Sequence, residues 1–398
     1  MGKQTVRDIE VENKRVLVRV DFNVPRDKST GEITDDSRIT AAVPTIQYLV
    51  DERAKVILCS HLGRPKGEVR EDMRLSSVGE RLGKIIGKEV RCTQDCIGEE
   101  VEAVVDEMQP GDIILLENLR FHPEEEKNDP SFAESLARLA DMFVNDAFGT
   151  AHRAHASTAG IANYLSAVSG FLMEKELEFL GKTLVDPERP FAMIIGGAKV
   201  ADKITLLENI VEKVNVLIIG GGMANTFLKS MGYDVGGSKV EDDQLSFGRS
   251  LVTKAARKGV RLMLPVDGIA ASEFSEDAEY KTVTLGAVPS GWQLLDIGPE
   301  SIRSFSDGLK ECKTIVWNGP MGVFEYPAFA QGTQDLASFI AELGVTTIIG
   351  GGDTAAAVKG MGLARKMTHV STGGGASLEF MEGKILPGVA ALLDKETS

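Results

Sequence analysis

Residues 348–358 have the sequence IIGGGDTAAAV, which joins a short apolar strand to a glycine turn and the first turn of a helix. Glycine lets a backbone turn sharply and approach a ligand closely. The helix N-terminus that follows offers unpaired N–H groups and a partial positive charge to phosphate. Asp353 is predicted at the cap position, where it can cap the helix or hold a magnesium ion beside phosphates. Alone, such a stretch is most often a tight strand–helix turn with a capping aspartate.

The same pattern of apolar strand, glycines and helix start occurs at residues 194–199 (IIGGAK) and 218–223 (IIGGGM). Ligands of open α/β sheets bind at the carboxyl ends of the strands. Three glycine-rich strand ends in one half of the chain therefore predict a single crevice for a large, multiply charged ligand. A nucleoside di- or triphosphate fits that description.

The composition is that of a globular protein that binds small molecules. The 398 residues are 43% hydrophobic and 26% charged, and the length suits roughly two to three domains. A net charge of −15 argues against nucleic acid or an acidic membrane as the main partner. The N-terminus lacks the apolar core of a signal peptide, and no apolar run approaches the ~18 residues of a membrane helix. No zinc or CxxC spacing links the four cysteines, Cys59, Cys92, Cys96 and Cys312, so we expect four unpaired thiols. Unpaired thiols are typical of a reducing compartment, so we expect a cytoplasmic protein.

Short β-branched runs alternate with amphipathic stretches along the whole chain. This alternation is typical of parallel sheets with helices on both faces. In the first half it predicts helices over 37–50, 76–86 and 131–140, and strands over 16–20, 55–59, 113–116 and 143–145. In the second half it predicts strands over 191–195, 216–219, 261–264, 314–317 and 346–349. We therefore expect an α/β protein with two doubly wound, Rossmann-like domains.

A connector separates the two halves. Apolar residues recur at three and four over 172–184, which predicts a helix. The helix should end before Pro187 and Pro190, since proline breaks helices. We expect an N-terminal domain over 1–171, a connecting hinge helix over 172–186 and a C-terminal domain over 187–386.

Charge and imidazole, in place of glycine, follow the strands of the N-terminal half. The segments are RVDFNVP (19–25), SHLGRP (60–65), ENLRFH (117–122) and NDAFGTAHRAH (145–155), and they hold four of the five histidines. Arginine forks suit both carboxylate and phosphate. Several such groups on one rim of an acidic protein predict a small anionic substrate. One nucleotide site and one small-acid site together suggest phosphoryl transfer, which needs positioning and charge stabilisation more than covalent chemistry.

These segments also resemble phosphoglycerate kinase. The resemblance continues in order through GGAKVADKI (196–204), GGGMANTF (220–227), WNGPMGVFE (317–325), GGGDTAAAV (350–358) and STGGGASLEFMEGKILPGV (371–389). It implies reversible phosphoryl transfer from 1,3-bisphosphoglycerate to ADP, giving 3-phosphoglycerate and ATP. It further implies a monomer that uses Mg²⁺ with the nucleotide, closes about a hinge, and returns its last segment, 387–398, to the N-terminal domain.

The resemblance assigns the small-acid site to the N-terminal half. It implies that 3-phosphoglycerate is bound by Asp21, Phe22, Asn23, Arg38, His61, Leu62, Gly63, Arg64, Arg120 and Arg153. Arg38 is implied as the catalytic arginine, which stabilises charge on the carboxyl group and the moving phosphoryl. His152 and His155 are expected behind these residues, in the same basic patch.

The resemblance assigns the nucleotide and the remaining catalytic groups to the C-terminal half. Lys199 and Lys203, four residues apart, are expected on one face of a helix. Lys199 would follow the moving phosphoryl, while Gly373 and Gly374 would hold it at a helix N-terminus. Asp353 would bind Mg²⁺. The nucleotide residues implied are Gly197, Lys199, Lys203, Gly220, Gly221, Leu294, Asn318, Glu325, Gly351, Gly352, Asp353 and Thr354.

Two positions depart from the family pattern, and two other functions remain open. Asn225 stands where an aromatic residue is common, and residues 266–272 are an unusual version of their segment. One alternative is a phosphotransferase that acts on a different small carboxylic acid. The other is a non-catalytic protein that binds a phosphorylated metabolite, which would show no turnover and would tolerate replacement of Arg38 or Lys199.

Overall fold

The computed structural model describes residues 2–27 and 29–395. The chain divides into two compact units, one formed by Met1–Glu178 with Ile385–Ser398 and the other by Phe179–Lys384. Each unit is built on a six-stranded parallel sheet, so the predicted α/β class with two parallel-sheet domains is confirmed. In the described part of the chain, no helix is long and apolar enough to cross a membrane.

The first unit contains a sheet of order β3-β4-β2-β1-β5-β6. Its strands are β1 (Arg15–Arg19), β2 (Lys55–Cys59), β3 (Arg91–Cys92), β4 (Ile113–Leu115), β5 (Met142–Asn145) and β6 (Ala167–Ser169). Its helices are α1 (Ser37–Asp51), α2 (Ser76–Ile86), α3 (Glu99–Asp106), α4 (Pro123–Glu126) and α5 (Pro130–Ala137), followed by α6 (Phe171–Val185).

Continuous apolar runs explain why these strands are central. Val16, Leu17 and Val18 of β1 are fully buried, as expected for a parallel strand covered on both faces. β1 pairs in parallel with β2 on one side and with β5 on the other. The carboxyl ends of these strands therefore lie side by side, and they lead directly into the charged segments found in the sequence.

The second unit combines a parallel sheet of order β15-β14-β13-β7-β8-β9 with a three-stranded antiparallel sheet of order β11-β10-β12. The parallel strands are β7 (Phe191–Ile195), β8 (Val216–Ile219), β9 (Arg261–Met263), β13 (Thr314–Asn318), β14 (Thr346–Gly350) and β15 (His369–Val370). The antiparallel strands are β10 (Asp267–Ala271), β11 (Tyr280–Thr284) and β12 (Gln293–Ile297), and none of them was predicted. The helices are α7 (Ile204–Ile210), α8 (Gly221–Ser230), α9 (Leu245–Lys258), α10 (Pro299–Leu309), α11 (Gln331–Glu342), α12 (Gly352–Gly360) and α13 (Gly374–Met381).

Helix α6 contains the division between the units, which falls between Glu178 and Phe179. Its first turn is held by the carboxylate of Asp146, which accepts hydrogen bonds from the backbone N–H groups of Leu172 (2.9 Å) and Met173 (3.2 Å). Asp146 is completely buried, and burial raises the pKa of its carboxyl group to about 6. The start of the helix is thus fixed to the end of β5.

The last described residues belong to the first unit. Helix α14 (Pro387–Ala390) begins there, and the N–H of Gly388 donates to the carbonyl of Ala151 at 2.8 Å. Asn145 donates its side-chain amide to the carbonyl of Gly388 at 3.2 Å. Near the N-terminus, Lys3 forms an ion pair of 2.8 Å with Asp394. The segment that begins at Ile385 therefore packs against the carboxyl end of β5.

Candidate active site

The residues predicted to bind a small acid converge at the strand ends of the first unit. Arg38, in the first turn of α1, donates to the carboxylate of Asp21 at 2.8 Å. The N–H of Gly63 donates to Asn23 at 2.8 Å, and the Gly63 carbonyl accepts from Arg120 at 2.9 Å. These contacts join the segments that follow β1, β2 and β4.

The predicted residues differ in what they can offer to a ligand. Phe22 and Leu62 are buried among apolar neighbours, so only their backbones can face a ligand. Arg120 is also buried, whereas Arg38 and Arg153 are half-buried and Arg64 is exposed. The arginines at these strand ends form a strongly positive rim in an acidic protein: Arg38, Arg64, Arg120 and Arg153.

His61 is a neutral member of this rim. Burial holds the pKa of its imidazole well below the usual value, and the charges of Arg19, Arg120, Arg38 and Arg153 lower it further. Arg19 Nη2 lies 3.2 Å from Nδ1 of His61. Since a guanidinium can only donate, Nδ1 accepts and the single ring proton sits on Nε2. His61 therefore offers an N–H donor to an anion.

A buried network supports the rim, and the sequence analysis missed it. Arg19 is almost fully buried and donates from Nε to the hydroxyl of Ser157 at 2.8 Å. Ser157 in turn donates from its backbone N–H (2.9 Å) and hydroxyl (2.6 Å) to Glu125, which is completely buried. Arg19 opens the charged segment 19–25 and Glu125 lies in an acidic run, but no sequence pattern joins these two positions.

Two histidines lie behind the arginines. His155 Nδ1 is 3.8 Å from the carboxylate of Glu125, and Nε2 of His152 accepts from Arg153 at 3.2 Å. Burial, with the charges of Arg120, Arg19 and Arg153, lowers the pKa of His155 to about 4. His155 is therefore neutral at pH 7 and supports the rim without adding charge.

Glycines form the helix starts of the second unit. Gly220, Gly351 and Gly373 are the N-cap residues of α8, α12 and α13, and no side chain caps any of these helices. A Cβ atom on Gly374 would lie 2.9 Å from the backbone nitrogen of Gly352. The N-termini of α12 and α13 are thus in contact, which creates a concentrated backbone anion site.

The structure corrects two expectations about this half. Asp353 is not at the cap position, because the N-cap residue of α12 is Gly351. Asp353 is the second residue of α12, and it is exposed. Lys199 and Lys203 do not share a helix face. Gly197, just after β7, has a positive φ of 100°, so the backbone turns there and does not continue directly into a helix. Lys199 lies in the loop that follows, and α7 begins only after the 3-10 turn Ala201–Lys203.

Lys203 is held at the strand ends. Its ammonium donates to the carbonyl of Gly196 and to the side-chain oxygen of Asn318, both at 2.8 Å. Burial lowers the pKa of Lys203 to about 8, and the negative charge of Asp353 opposes that shift. The side-chain nitrogen of Asn318 is buried beside Gly351, and no described residue accepts a hydrogen bond from it. Thr354 is also buried and accepts from the N–H of Gly319 at 2.7 Å.

A cleft of about 880 Å³ adjoins these glycines, its volume including the open mouth. Five of the twelve predicted nucleotide residues line it, and seven do not: Lys199, Lys203, Gly220, Asn318, Gly351, Gly352 and Thr354. Both departures from the family pattern are placed nearby. Asn225 lines the cleft, and Asp267 lies in the next cavity, where its carboxylate caps α10 through Ser301 N–H at 2.8 Å. The predicted residues that line the cleft are Gly197, Gly221, Leu294, Glu325 and Asp353.

An arginine- and histidine-rich strand edge in one α/β unit, with glycine helix starts in the other, is typical of an α/β phosphotransferase. Comparisons with known proteins identify which one. The model of the family described as phosphoglycerate kinase matches residues 6–384. The chain belongs to the phosphoglycerate kinase family.

Individual members of this family are similar to the chain over nearly its whole length. The phosphoglycerate kinase of Moorella thermoacetica is 59% identical over 395 residues, covering 99% of this chain and 100% of the relative. That of Pelotomaculum thermopropionicum is 58% identical with the same coverage. Among solved structures, phosphoglycerate kinase from Coxiella burnetii superposes with a TM-score of 0.87, 43% identity and 98% coverage of both chains. The enzyme from Pyrococcus horikoshii gives 0.85 and 32%, also with 98% coverage of both chains.

Proposed function

We propose that the arginine rim and the glycine helix starts are the acid and nucleotide sites of one phosphoryl-transfer reaction. That reaction is the family's reversible transfer between 1,3-bisphosphoglycerate and ADP, which gives 3-phosphoglycerate and ATP. The observation that carries the assignment is the contact between the N-termini of α12 and α13, beside Lys203 and Asn318. Backbone donors placed in this way hold a phosphoryl group without covalent chemistry.

The proposed acid site contains two kinds of hydrogen-bond donor: buried donors that are held in place, and a half-buried arginine that can move. Arg120 and the Nε2–H of His61 belong to the buried, braced part of the rim. Arg38 is half-buried and pairs with the carboxylate of Asp21, so its fork can turn toward the reacting carboxyl group. Arg38 then stabilises the charge that develops in transfer. The remaining proposed contacts to 3-phosphoglycerate come from Asp21, Phe22, Asn23, Leu62, Gly63, Arg64 and Arg153.

In the nucleotide site, the cleft takes the base and the ribose. Gly197, Gly220, Gly221 and Leu294 form the proposed surface for the adenine, and the exposed carboxylate of Glu325 accepts from ribose hydroxyls. The phosphates meet Gly351, Gly352, Thr354 and the Asn318 side-chain nitrogen, whose missing acceptor a phosphate oxygen supplies. Lys203 adds positive charge below them.

Asp353 fits the role of a Mg²⁺ ligand. Its carboxylate is exposed, makes no capping bond to α12, and stands at the helix start where the phosphates are proposed. Mg²⁺ in nucleotide sites takes one or two carboxylates and completes its shell with phosphate oxygens and water. When bound, Mg²⁺ neutralises charge on the nucleotide phosphates.

Lys199, Gly373 and Gly374 act on the moving phosphoryl group. Lys199 is exposed on a loop and can follow the group, whereas Gly373 and Gly374 start α13 and offer fixed N–H donors. The two sets of substrate residues belong to different units, and in-line transfer brings reacting atoms to roughly 3–3.5 Å. The units therefore close on each other during the reaction, about α6 and the segments near residues 371 and 387. We further propose a cytoplasmic monomer.

A coupled assay with ATP, Mg²⁺ and 3-phosphoglycerate tests the substrate assignment. We expect turnover with 3-phosphoglycerate and none with acetate or aspartate at the same concentration. Turnover with acetate or aspartate alone would assign the arginine rim to another carboxylic acid. Binding of 3-phosphoglycerate without any turnover would leave a non-catalytic binding protein.

A further inference from the structure

A second cluster of chemically active side chains lies outside the residues proposed for either substrate. Asp95, Cys96 and His122 each offer one ligand atom, and these three atoms lie within 4.8 Å of one another. Asp95 and Cys96 follow β3, while His122 follows the 3-10 turn Leu119–Phe121. Among residues 2–27 and 29–395, this is the one group of three such ligand atoms so placed.

The three side chains meet at one carboxylate. His122 Nε2 lies 2.7 Å from Oδ1 of Asp95, and the backbone N–H of Cys96 donates to the same oxygen at 2.6 Å. The Sγ atom of Cys96 lies within 4.8 Å of the ligand atoms of Asp95 and His122, and Cys96 is completely buried. A hydrogen atom joins the carboxylate to the imidazole nitrogen beside this sulfur, and a cation can occupy that position instead.

We propose that Asp95, Cys96 and His122 form a binding site for a divalent cation of the zinc and cobalt class. The cation is held by Sγ of Cys96, an imidazole nitrogen of His122 and a carboxylate oxygen of Asp95, with water in the fourth position. Sulfur, imidazole and carboxylate together are typical zinc ligands. Mg²⁺ prefers oxygen ligands alone, so this site is chemically distinct from the one proposed at Asp353.

The surroundings hold the ligands in place and leave one side open. The hydroxyl of Thr93 donates to the carbonyl of Asp95 at 2.6 Å, and the His122 ring packs against Phe132 with centroids 5.3 Å apart. Such supporting contacts orient metal ligands and strengthen binding. The side chain of Asp95 is 53% exposed and that of His122 is 26% exposed, so an ion reaches the buried sulfur past these two groups.

The same residues do not form a reactive cysteine. Burial, together with the negative charge of Asp95, raises the pKa of the Cys96 thiol well above its usual value. Reactive cysteines have a lowered pKa and partial exposure.

Titration of the metal-free, full-length protein with Co²⁺ tests the site. We expect a thiolate-to-cobalt absorption band that saturates at one Co²⁺ per chain, is displaced by Zn²⁺ and is unaffected by Mg²⁺. A folded wild-type protein that gives no such band at stoichiometric Co²⁺ would overturn the proposal.

Single substitutions locate the site. Cys96→Ser should abolish the band, and His122→Gln and Asp95→Asn should each weaken Co²⁺ binding by about tenfold or more. Cys92→Ser is the matched control, since Cys92 is a nearby half-buried thiol outside the cluster, and it should leave binding unchanged. If Cys96→Ser does not fold, as judged by circular dichroism, the other variants decide. Wild-type affinity in folded His122→Gln and Asp95→Asn, or loss of the band in Cys92→Ser, would contradict the assignment.

Discussion

The two parallel sheets are built alike but present different hydrogen-bond donors at their strand ends. In the first unit, the strand ends carry side-chain donors, namely Arg38, which pairs with Asp21, and the buried residues His61 and Arg120. In the second unit, the strand ends carry glycines, and the donors are the backbone N–H groups at the starts of α8, α12 and α13. Arginine forks select the shape of a small acid, whereas helix N-termini accept any phosphate that fits. The difference supports the proposal that the first unit determines the choice of acid and the second unit handles the phosphoryl group.

Replacing the mobile arginine should have the largest effect on turnover. Arg38→Ala removes a charged donor that acts in the transition state, so kcat should decrease roughly a hundredfold or more in a folded protein. Arg38→Lys should restore only part of this loss, because an ammonium cannot form the paired fork. Arg138→Ala is the control, since Arg138 is exposed and paired with Glu134 on the surface. Unchanged kcat in Arg38→Ala would remove Arg38 from the reaction.

Adding a methyl group between the N-termini of α12 and α13 should have the next largest effect on turnover. Gly374→Ala would bring a Cβ to 2.9 Å from the nitrogen of Gly352 and separate the two helix starts. We expect kcat to decrease roughly ten- to a hundredfold, since displacement of oriented groups by about 1 Å has effects of that order. The matched control is Gly360→Ala at the end of α12, where an added Cβ meets nothing within 4 Å. Equal activities of the two variants would show that the contact between α12 and α13 does not matter for transfer.

Neutralising the proposed magnesium ligand should change the dependence on Mg²⁺. In Asp353→Asn, a neutral amide replaces the carboxylate, so half-maximal activity should require about tenfold more Mg²⁺ or above. Asp307→Asn, which removes an exposed carboxylate paired with Lys310 on α10, should keep the wild-type titration. If Asp353→Asn also keeps it, Asp353 serves only the electrostatics of the helix start.

The buried carboxyl group below α6 should give the smallest effect, seen in stability and not in catalysis. Asp146 has a folded pKa of about 6, above the ~3.9 expected when unfolded, so the native state binds more protons between these values. Its contribution is therefore most favourable below pH 4 and is lost as the pH rises through 6. Asp146→Asn keeps an oxygen for the N–H groups of Leu172 and Met173 but does not titrate.

Urea unfolding of both proteins from pH 5 to pH 7 measures this contribution. The stability of the wild type relative to Asp146→Asn should decrease by roughly 1 kcal/mol between pH 5 and pH 7, which is part of the ~3 kcal/mol expected between pH 4 and pH 7 for a shift of two pKa units. A difference that is flat, or that increases with pH, would show that burial does not govern this carboxyl group.

Long apolar runs made much of the fold predictable from the sequence. The bounds predicted for β2, α2, β7 and β8 agree with the structure, because each has a continuous or strongly periodic apolar pattern between clear turn residues. Strands β10, β11 and β12 were missed. Asp267–Ala271 has one β-branched residue among glycine and alanines, and Tyr280–Thr284 is mostly exposed. Their pairing comes from tertiary contacts that leave little trace in local sequence.

The candidate site was predictable where motifs carry it and not where packing does. The contacts of Asp21 with Arg38 and of Gly63 with Arg120 join segments that the sequence had already singled out. The placement of Lys199 on a helix was wrong, because a glycine of positive φ delays the start of α7. The Arg19–Ser157–Glu125 network was invisible, since its members are 138 and 32 residues apart and meet only in the folded unit.

Small-angle scattering tests most directly whether the two units work as partners in one reaction. The protein is measured alone, with 3-phosphoglycerate, with Mg-nucleotide, and with both. Each ligand has its proposed contacts mainly in one unit, so neither alone should close the units fully, and both together should favour the closed state. We expect the radius of gyration to decrease clearly only when both ligands are bound. The same radius in all four states would contradict closure as the step that unites the arginine rim with the glycine helix starts.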